Sequence, residues 1–215
     1  SAGDGAVLLL VGGGHAHVAV LADWIRRGVP PGARAVLLTP EPSLRYSGMV
    51  PGWRAGQHAQ DAGLVDLAGL AARAGAQLVL GTCTAIDPEA RTVQVAGGGE
   101  IAFDIASIDT GGVGRGAAVL GADPRLIDVR PIGAFVERLA DCPALGRVVV
   151  AGGGAGGVEL AFGLRNRAGA DPQPGVVLVS GADGLRPRFA GAVQRRAARV
   201  LARQGIAVVE GPIAL

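Results

Sequence analysis

One pattern occurs twice in this sequence. Val11-Gly12-Gly13-Gly14-His15-Ala16-His17 follows an apolar run over 7–11, and Ala151-Gly152-Gly153-Gly154-Ala155-Gly156-Gly157 follows the run 148–150. Each copy lies between a strand-like run and a segment with helical spacing. Gly152 follows Gly12 by 140 positions, which leaves room for one nucleotide domain per copy. In such a turn the first glycine makes the bend. The second lets the backbone approach a pyrophosphate, and the third lets helix and strand pack closely. Amide N–H groups at the helix start then hold the phosphates. Two dinucleotides imply two cofactors, and two cofactors suggest electron transfer between them.

The copies are unequal. The second supplies all three glycines, Gly152, Gly154 and Gly157, with Ala155 and Gly156 opening its helix. The first has Gly12 and Gly14 but His17 in the third place. His17 is expected to point away from the strand or to widen the gap between helix and strand. His15 and His17 have no third ligand near them in sequence, so a metal site is not indicated. They read as flanking the pyrophosphate, with catalysis by either a lesser option. An acid that binds the ribose should end the second strand of each unit. That place holds Thr39, 27 positions after Gly12, and Ser180, 28 positions after Gly152. The layouts match, but both acids are missing. Glu41 and Asp183 stand two or three residues on and are the substitutes. Arg186 and Arg188 are candidates for a 2′-phosphate, with plain solvation as the alternative.

Periodicity supplies the frame. Val18, Leu21, Ala22 and Ile25 make one helical face after the first turn. A strand over 35–38 completes a βαβ unit, whose right-handed crossover makes its strands parallel neighbours. An irregular Pro- and Gly-rich stretch over 40–52 follows. Further along come a short helix closed by Gly75 and a strand over 77–80. The stretches 92–95 and 100–103 form a hairpin around three glycines, and a strand covers 105–109. A crossing segment carries one helix, with Pro131 as its first-turn proline. The second unit reads β-α-β-α-β, about half of a dinucleotide domain. The expected fold is α/β: two Rossmann-like units with parallel sheets, the second truncated. The expected boundaries are 1–112, 113–146 and 147–215, and the chain reads as part of a longer protein.

Composition excludes several classes. Net charge is +2, and all twenty basic residues are arginines with no run longer than two. No nucleic-acid footprint is indicated. No apolar stretch approaches the ~18 residues that span a bilayer. No signal peptide is visible at the N-terminus, which makes cytoplasmic residence the default. The two cysteines, Cys83 and Cys142, form no C-x-x-C pair, which argues against an active-site dithiol relay.

The two turns, with Asp104-Ile105 to Asp109-Thr110-Gly111 between them, resemble the two-dinucleotide flavoprotein family, also called the pyridine nucleotide-disulfide oxidoreductases. Type II NADH dehydrogenases and sulfide:quinone reductases are its closest branches here. Asp109 stands where the family usually has Ala. Gly12 to Val18 and Tyr46 to Gly52 also resemble the flavoprotein found fused ahead of selenophosphate synthetase.

The resemblance implies FAD on the first turn and NAD(P)H on the second. It implies pyrophosphate contacts at Gly12, Gly14, His15, Ala16 and His17. Thr39, Pro40 and Glu41 would lie at the adenosine ribose, and the backbone near Cys83 at the adenine edge. Thr110 and Gly111 would close over the cofactor, and the loop 45–52 would approach the flavin. On the second turn Gly152, Gly154, Ala155, Gly156, Gly157 and Ser180 would meet the nucleotide. Glu159 would steer the nicotinamide or touch the flavin edge, with a plain surface carboxylate as the equal alternative. Hydride would pass from NAD(P)H to flavin and on to a small-molecule acceptor, in a homodimeric parent. A non-catalytic nucleotide-binding module serving a partner is the competing reading. In the family a Gly-Asp element after the second unit closes FAD in place, and none follows that unit in this sequence. The chain alone is therefore expected to bind FAD weakly or not at all, and to be inactive.

Overall fold

The computed structural model describes residues 5–142, 146–181, 184–185 and 189–211. In chain order the elements are β1 (Ala6–Val11), α1 (His15–Arg27), β2 (Ala33–Thr39), β3 (Ser43–Arg45), α2 (Val50–Arg54), β4 (Leu64–Asp66), α3 (Leu67–Ala74), β5 (Gln77–Leu80), β6 (Cys83–Asp87), β7 (Thr92–Val95), β8 (Gly99–Ala102) and β9 (Ile105–Ile108). Then follow α4 (Gly116–Leu120), α5 (Ile132–Ala140), β10 (Arg147–Ala151), α6 (Ala155–Arg165), β11 (Gly175–Ser180), α7 (Gly191–Arg203) and β12 (Ala207–Glu210). The chain divides into two compact units: Ser1–Arg45 with Leu64–Gly112, and Tyr46–Gly63 with Val113–Leu215.

The first unit is built on a parallel sheet of order β5-β2-β1-β9. With β1 as the first strand this is the 3-2-1-4 order of a dinucleotide-binding fold. The strands read as continuous apolar runs because both faces are covered. Leu10 and Leu37 point to one face, against Leu21 of α1 and Leu67 and Ala71 of α3. Leu9, Val11, Val36 and Leu38 point to the other, against Val93 of β7. A fully buried Leu of this kind contributes roughly 1.5–3 kcal/mol. α1 stops at Gly28, at φ 83°, whose N–H reaches back to the Trp24 carbonyl at 2.8 Å. Asp66 caps α3 by accepting from the Gly69 N–H at 2.9 Å.

The second unit repeats the plan. β10, β11 and β12 form a parallel sheet in which β11 lies in the middle. Val150, Val176 and Leu178 face α5, α6 and α7 through Phe135, Val136, Val158, Ala161 and Leu201. On the opposite face Val149 and Val209 are exposed. The excursion 46–63 interrupts the first unit in sequence yet packs with the second, which the linear boundaries 1–112, 113–146 and 147–215 do not carry. Val50 and Trp53 of α2 join the core beside α6. Gly163 permits that approach, since a Cβ there would stand 2.5 Å from the Pro51 carbonyl oxygen and 2.7 Å from its Cα.

The structure adds to the expected elements in places. The hairpin is two strands of a three-stranded antiparallel sheet, with β6 as the third. The stretch 40–52 holds β3, a 3-10 turn (Ser47–Met49) and the start of α2. β3 pairs with β4 through three residues on each side, too few to leave a periodic signal. Pro131 is the N-cap of α5, one place before the first turn.

Candidate nucleotide-binding turns

The two turns superpose in their backbone logic. Gly12 and Gly152 each have positive φ, at 97° and 130°, which glycine adopts without the cost a Cβ would bring. The Gly12 N–H donates to the Leu38 carbonyl at 2.7 Å, and the Gly152 N–H to the Val179 carbonyl at 2.8 Å. Gly14 and Gly154 are the N-caps of α1 and α6, with φ −72°, ψ 174° and φ −73°, ψ 180°. The middle glycines lean on matching hydroxyl residues. A Cβ on Gly13 would lie 3.0 Å from Thr39 Oγ1, and one on Gly153 would lie 2.6 Å from Ser180 Cβ.

That packing encloses Thr39 and Ser180, which stand at the expected ribose place. They are 3% and 0% exposed, because both side chains are packed beneath the turns rather than open to a ribose. The Thr39 hydroxyl donates to the Glu41 carbonyl at 3.1 Å. Ser180 Oγ is buried with no hydrogen-bond partner among the described residues. A buried hydroxyl left unpaired costs about 1–3 kcal/mol. Ser180→Ala is therefore expected to raise stability by about 1 kcal/mol, read as a higher urea midpoint at unchanged slope. A lower midpoint would show that the hydroxyl has a partner. Pro40 and Glu41 are exposed at the end of β2. Asp183, Arg186 and Arg188 lie outside the described residues.

The third glycine place separates the turns. At Gly157 a Cβ would run into the carbonyl oxygen of Gly152. The equivalent carbonyl, that of Gly12, instead lies 2.6 Å from Nδ1 of His17. His17 Nε2 lies 2.9 Å from the Ser107 hydroxyl. A carbonyl only accepts, so Nδ1 carries a proton; in the neutral ring Nε2 accepts from Ser107. His17 is 1% exposed. Its imidazole points toward the strands and bridges α1 to the β1 turn and to β9. These two bonds correct the expectation that it points away from the strand. His15 is exposed at the first position of α1.

No local signal points to what Asp109 does. Its N–H donates to the Val11 carbonyl at 2.8 Å, extending the β1–β9 ladder, and its carbonyl accepts from the Gly14 N–H at 3.2 Å. Its carboxylate Oδ2 accepts from the Ala16 N–H at 2.9 Å. A Cβ on Gly14 would collide with the same carboxylate. The start of α1 thus has the donors an anion needs, and the chain's own carboxylate is seated on one of them. The start of α6 differs. Nothing among the described residues lies within 4 Å of where a Cβ on Gly154 or Gly156 would stand, and Gly154 makes no side-chain cap. Both turns fit a pyrophosphate by their backbone donors, the second openly and the first against Asp109. Thr110 and Gly111, at φ 76°, are exposed just beyond.

Two other groups fall elsewhere. Cys83 opens β6, and its thiol lies 3.6 Å from the Ala85 carbonyl at the edge of the apolar layer. Glu159 is exposed on α6 and lines a cavity of about 690 Å³ within the second unit, with Gln57, His58, Phe162 and Asn166 among its neighbours. Arg54 is buried, with Nε and Nη2 lacking a hydrogen-bond partner among the described residues and its guanidinium 4.9 Å over the Trp53 ring. Burial, then the charge of Arg167, holds its pKa below the ordinary arginine value. Among the described residues no cluster of His, Cys, Asp or Glu is suited to a metal, and no helix is long and apolar enough to cross a membrane.

Comparison with known proteins agrees with this geometry. A family model described as pyridine nucleotide-disulphide oxidoreductase matches residues 7–212. No curated protein matches in sequence. Among solved structures, NDH2 from Plasmodium falciparum is similar with a TM-score of 0.77 at 13% identity, over 98% of this chain and 49% of that one. The sulfide:quinone oxidoreductase of Aquifex aeolicus has a TM-score of 0.67 at 20% identity, over 98% and 52%. The water-forming NADH oxidase of Lactobacillus brevis, bound to NADH, has a TM-score of 0.68 at 16% identity, over 95% and 46%. The chain thus spans about half the length of these structures.

Proposed function

Because the chain belongs to the pyridine nucleotide-disulphide oxidoreductase family, we propose that it is the two-turn part of a flavin-dependent NAD(P)H oxidoreductase. FAD would lie on the first turn and NAD(P)H on the second. The observation that carries this reading is the repeat itself: two strand–glycine turn–helix units with the same cap backbone and the same strand-to-turn hydrogen bond. FAD supplies a ring that accepts hydride from a nicotinamide and hands the electrons on.

The chain's own residues bind and orient. The N–H groups of His15, Ala16 and His17 would hold the FAD pyrophosphate, and those of Ala155, Gly156 and Gly157 the NAD(P)H pyrophosphate. Pro40 and Glu41 would meet the adenosine ribose, the backbone at Cys83 the adenine edge, and Thr110 and Gly111 the far side of the cofactor. Glu159 would orient the nicotinamide from the wall of its cavity. Cys83 and Cys142 are both free, and Cys83 is engaged at the apolar layer. Direct hydride transfer therefore fits better than a thiol relay. A small-molecule acceptor, a homodimer and the subfamily fused ahead of selenophosphate synthetase belong to this proposal; the likeness of residues 12–18 and 46–52 supports the last.

One observation favours a second reading, a nucleotide-binding module without chemistry: the Asp109 carboxylate seated on the first turn. Anaerobic stopped-flow mixing of the FAD-loaded full-length protein with NADH separates the two. The oxidoreductase bleaches the visible flavin band. A module binds NADH and leaves the band unchanged, and that result would refute the proposal.

A further inference from the structure

At the first turn a carboxylate of the chain itself takes the place of an anion. Asp109 leaves the end of β9 and places Oδ2 on the Ala16 N–H at 2.9 Å, in the first turn of α1. The contact joins residues 93 positions apart, so it is made by the fold and not by local capping. An ionised carboxylate at a helix start is stabilised both by the hydrogen bond and by the positive end of the helix. Those are the two terms a pyrophosphate would use at the same amides. At α6 the cap residue is Gly154, which makes no side-chain cap.

We propose that Asp109 is an internal competitor for the first turn: its carboxylate holds the anion position at the start of α1, and a dinucleotide enters by displacing it. The proposal rests on the reading of the first turn as a dinucleotide site. It makes Asp109 the residue that sets affinity there. Two negative groups cannot share the Ala16 amide, so a bound pyrophosphate requires the Asp109 side chain to rotate away from α1. Removing the carboxylate removes both the competition and the like-charge repulsion. The second turn, where no such carboxylate is bonded among the described residues, is expected to be indifferent to the change.

Calorimetric titration with FAD and with ADP, on the full-length protein unaltered and carrying Asp109→Ala or Asp109→Asn, tests this. Asp109→Ala is expected to bind both ligands at least about tenfold more tightly. Asp109→Asn keeps a neutral acceptor for the Ala16 N–H, so it falls between the other two and guards against a folding defect in the Ala variant. NADH affinity at the second turn is expected to stay within about twofold in all three, inside measurement scatter. Equal or weaker FAD and ADP binding by both variants would overturn the competitor role and leave the first turn as a plain dinucleotide site. Failure of all three proteins to bind FAD or ADP, with NADH binding intact, would overturn the first-turn reading and the competitor role together.

Discussion

Replacing His17 by Ala is expected to destabilise the first unit by about 3 kcal/mol, a large share of the ~5–15 kcal/mol that holds a domain together. Two losses add. The Gly12 carbonyl and the Ser107 hydroxyl, now bonded to the ring at 2.6 and 2.9 Å, lose their partner. The buried Gly12 carbonyl left unsatisfied costs roughly 1–3 kcal/mol, and the hydroxyl of Ser107, an exposed residue, costs less because water reaches it. The ring is also 1% exposed, so its removal leaves a cavity between α1 and the sheet. Large-to-small changes at such sites cost ~2–5 kcal/mol. Urea unfolding of His17→Ala, Ser107→Ala and the double variant measures the effect. The double variant should cost less than the sum of the singles by about 0.5–3 kcal/mol, since both remove one bridge. Additive costs would mean that His17 is ordinary core filling.

The second large effect is at Gly157. A Cβ there collides with the carbonyl oxygen of Gly152, which is backbone and cannot swing aside. Gly157→Ala must push the start of α6 away from β10, and overpacking of this kind costs ~1–3 kcal/mol. The displaced amides are those proposed to hold NAD(P)H. NADH affinity, followed by nicotinamide fluorescence, is expected to fall by about 10- to 100-fold, with FAD affinity unchanged. The contrast with the first turn is sharp. Five residues after the first glycine, one turn accommodates an imidazole and the other rejects a methyl. The difference is whether the glycine carbonyl accepts a hydrogen bond from the side chain or abuts the helix backbone. NADH affinity unchanged in Gly157→Ala would show that α6 does not carry the nucleotide.

Much of the fold was legible because its signals are local. The runs 7–11 and 148–150 are apolar, β-rich and end in glycine, and the structure has β1 and β10 there. Val18, Leu21 and Ile25 fix the buried face of α1 by spacing alone. Short or glycine-rich elements escaped. β3 and β4 have three residues each, α4 begins in a run of glycines, and β6 mixes Thr84 and Asp87 into an otherwise apolar strand. The site was legible as a backbone motif and illegible in its side chains. His17 stood out as a departure, but its partner Ser107 lies 90 positions away. Asp109 stood out as an acid in place of Ala, yet nothing local points it at Ala16. Thr39 and Ser180 occupy the ribose place by count, and only the packing of Gly13 and Gly153 shows them turned under the loop.

The central claim is that each turn takes its own dinucleotide. Equilibrium dialysis of the full-length protein against saturating FAD and NADH, separately and together, tests it. Additive binding is expected: each ligand is retained to the same extent in the presence of the other, and Gly157→Ala loses NADH alone. Mutual displacement of FAD and NADH, with both lost together in Gly157→Ala, would contradict it.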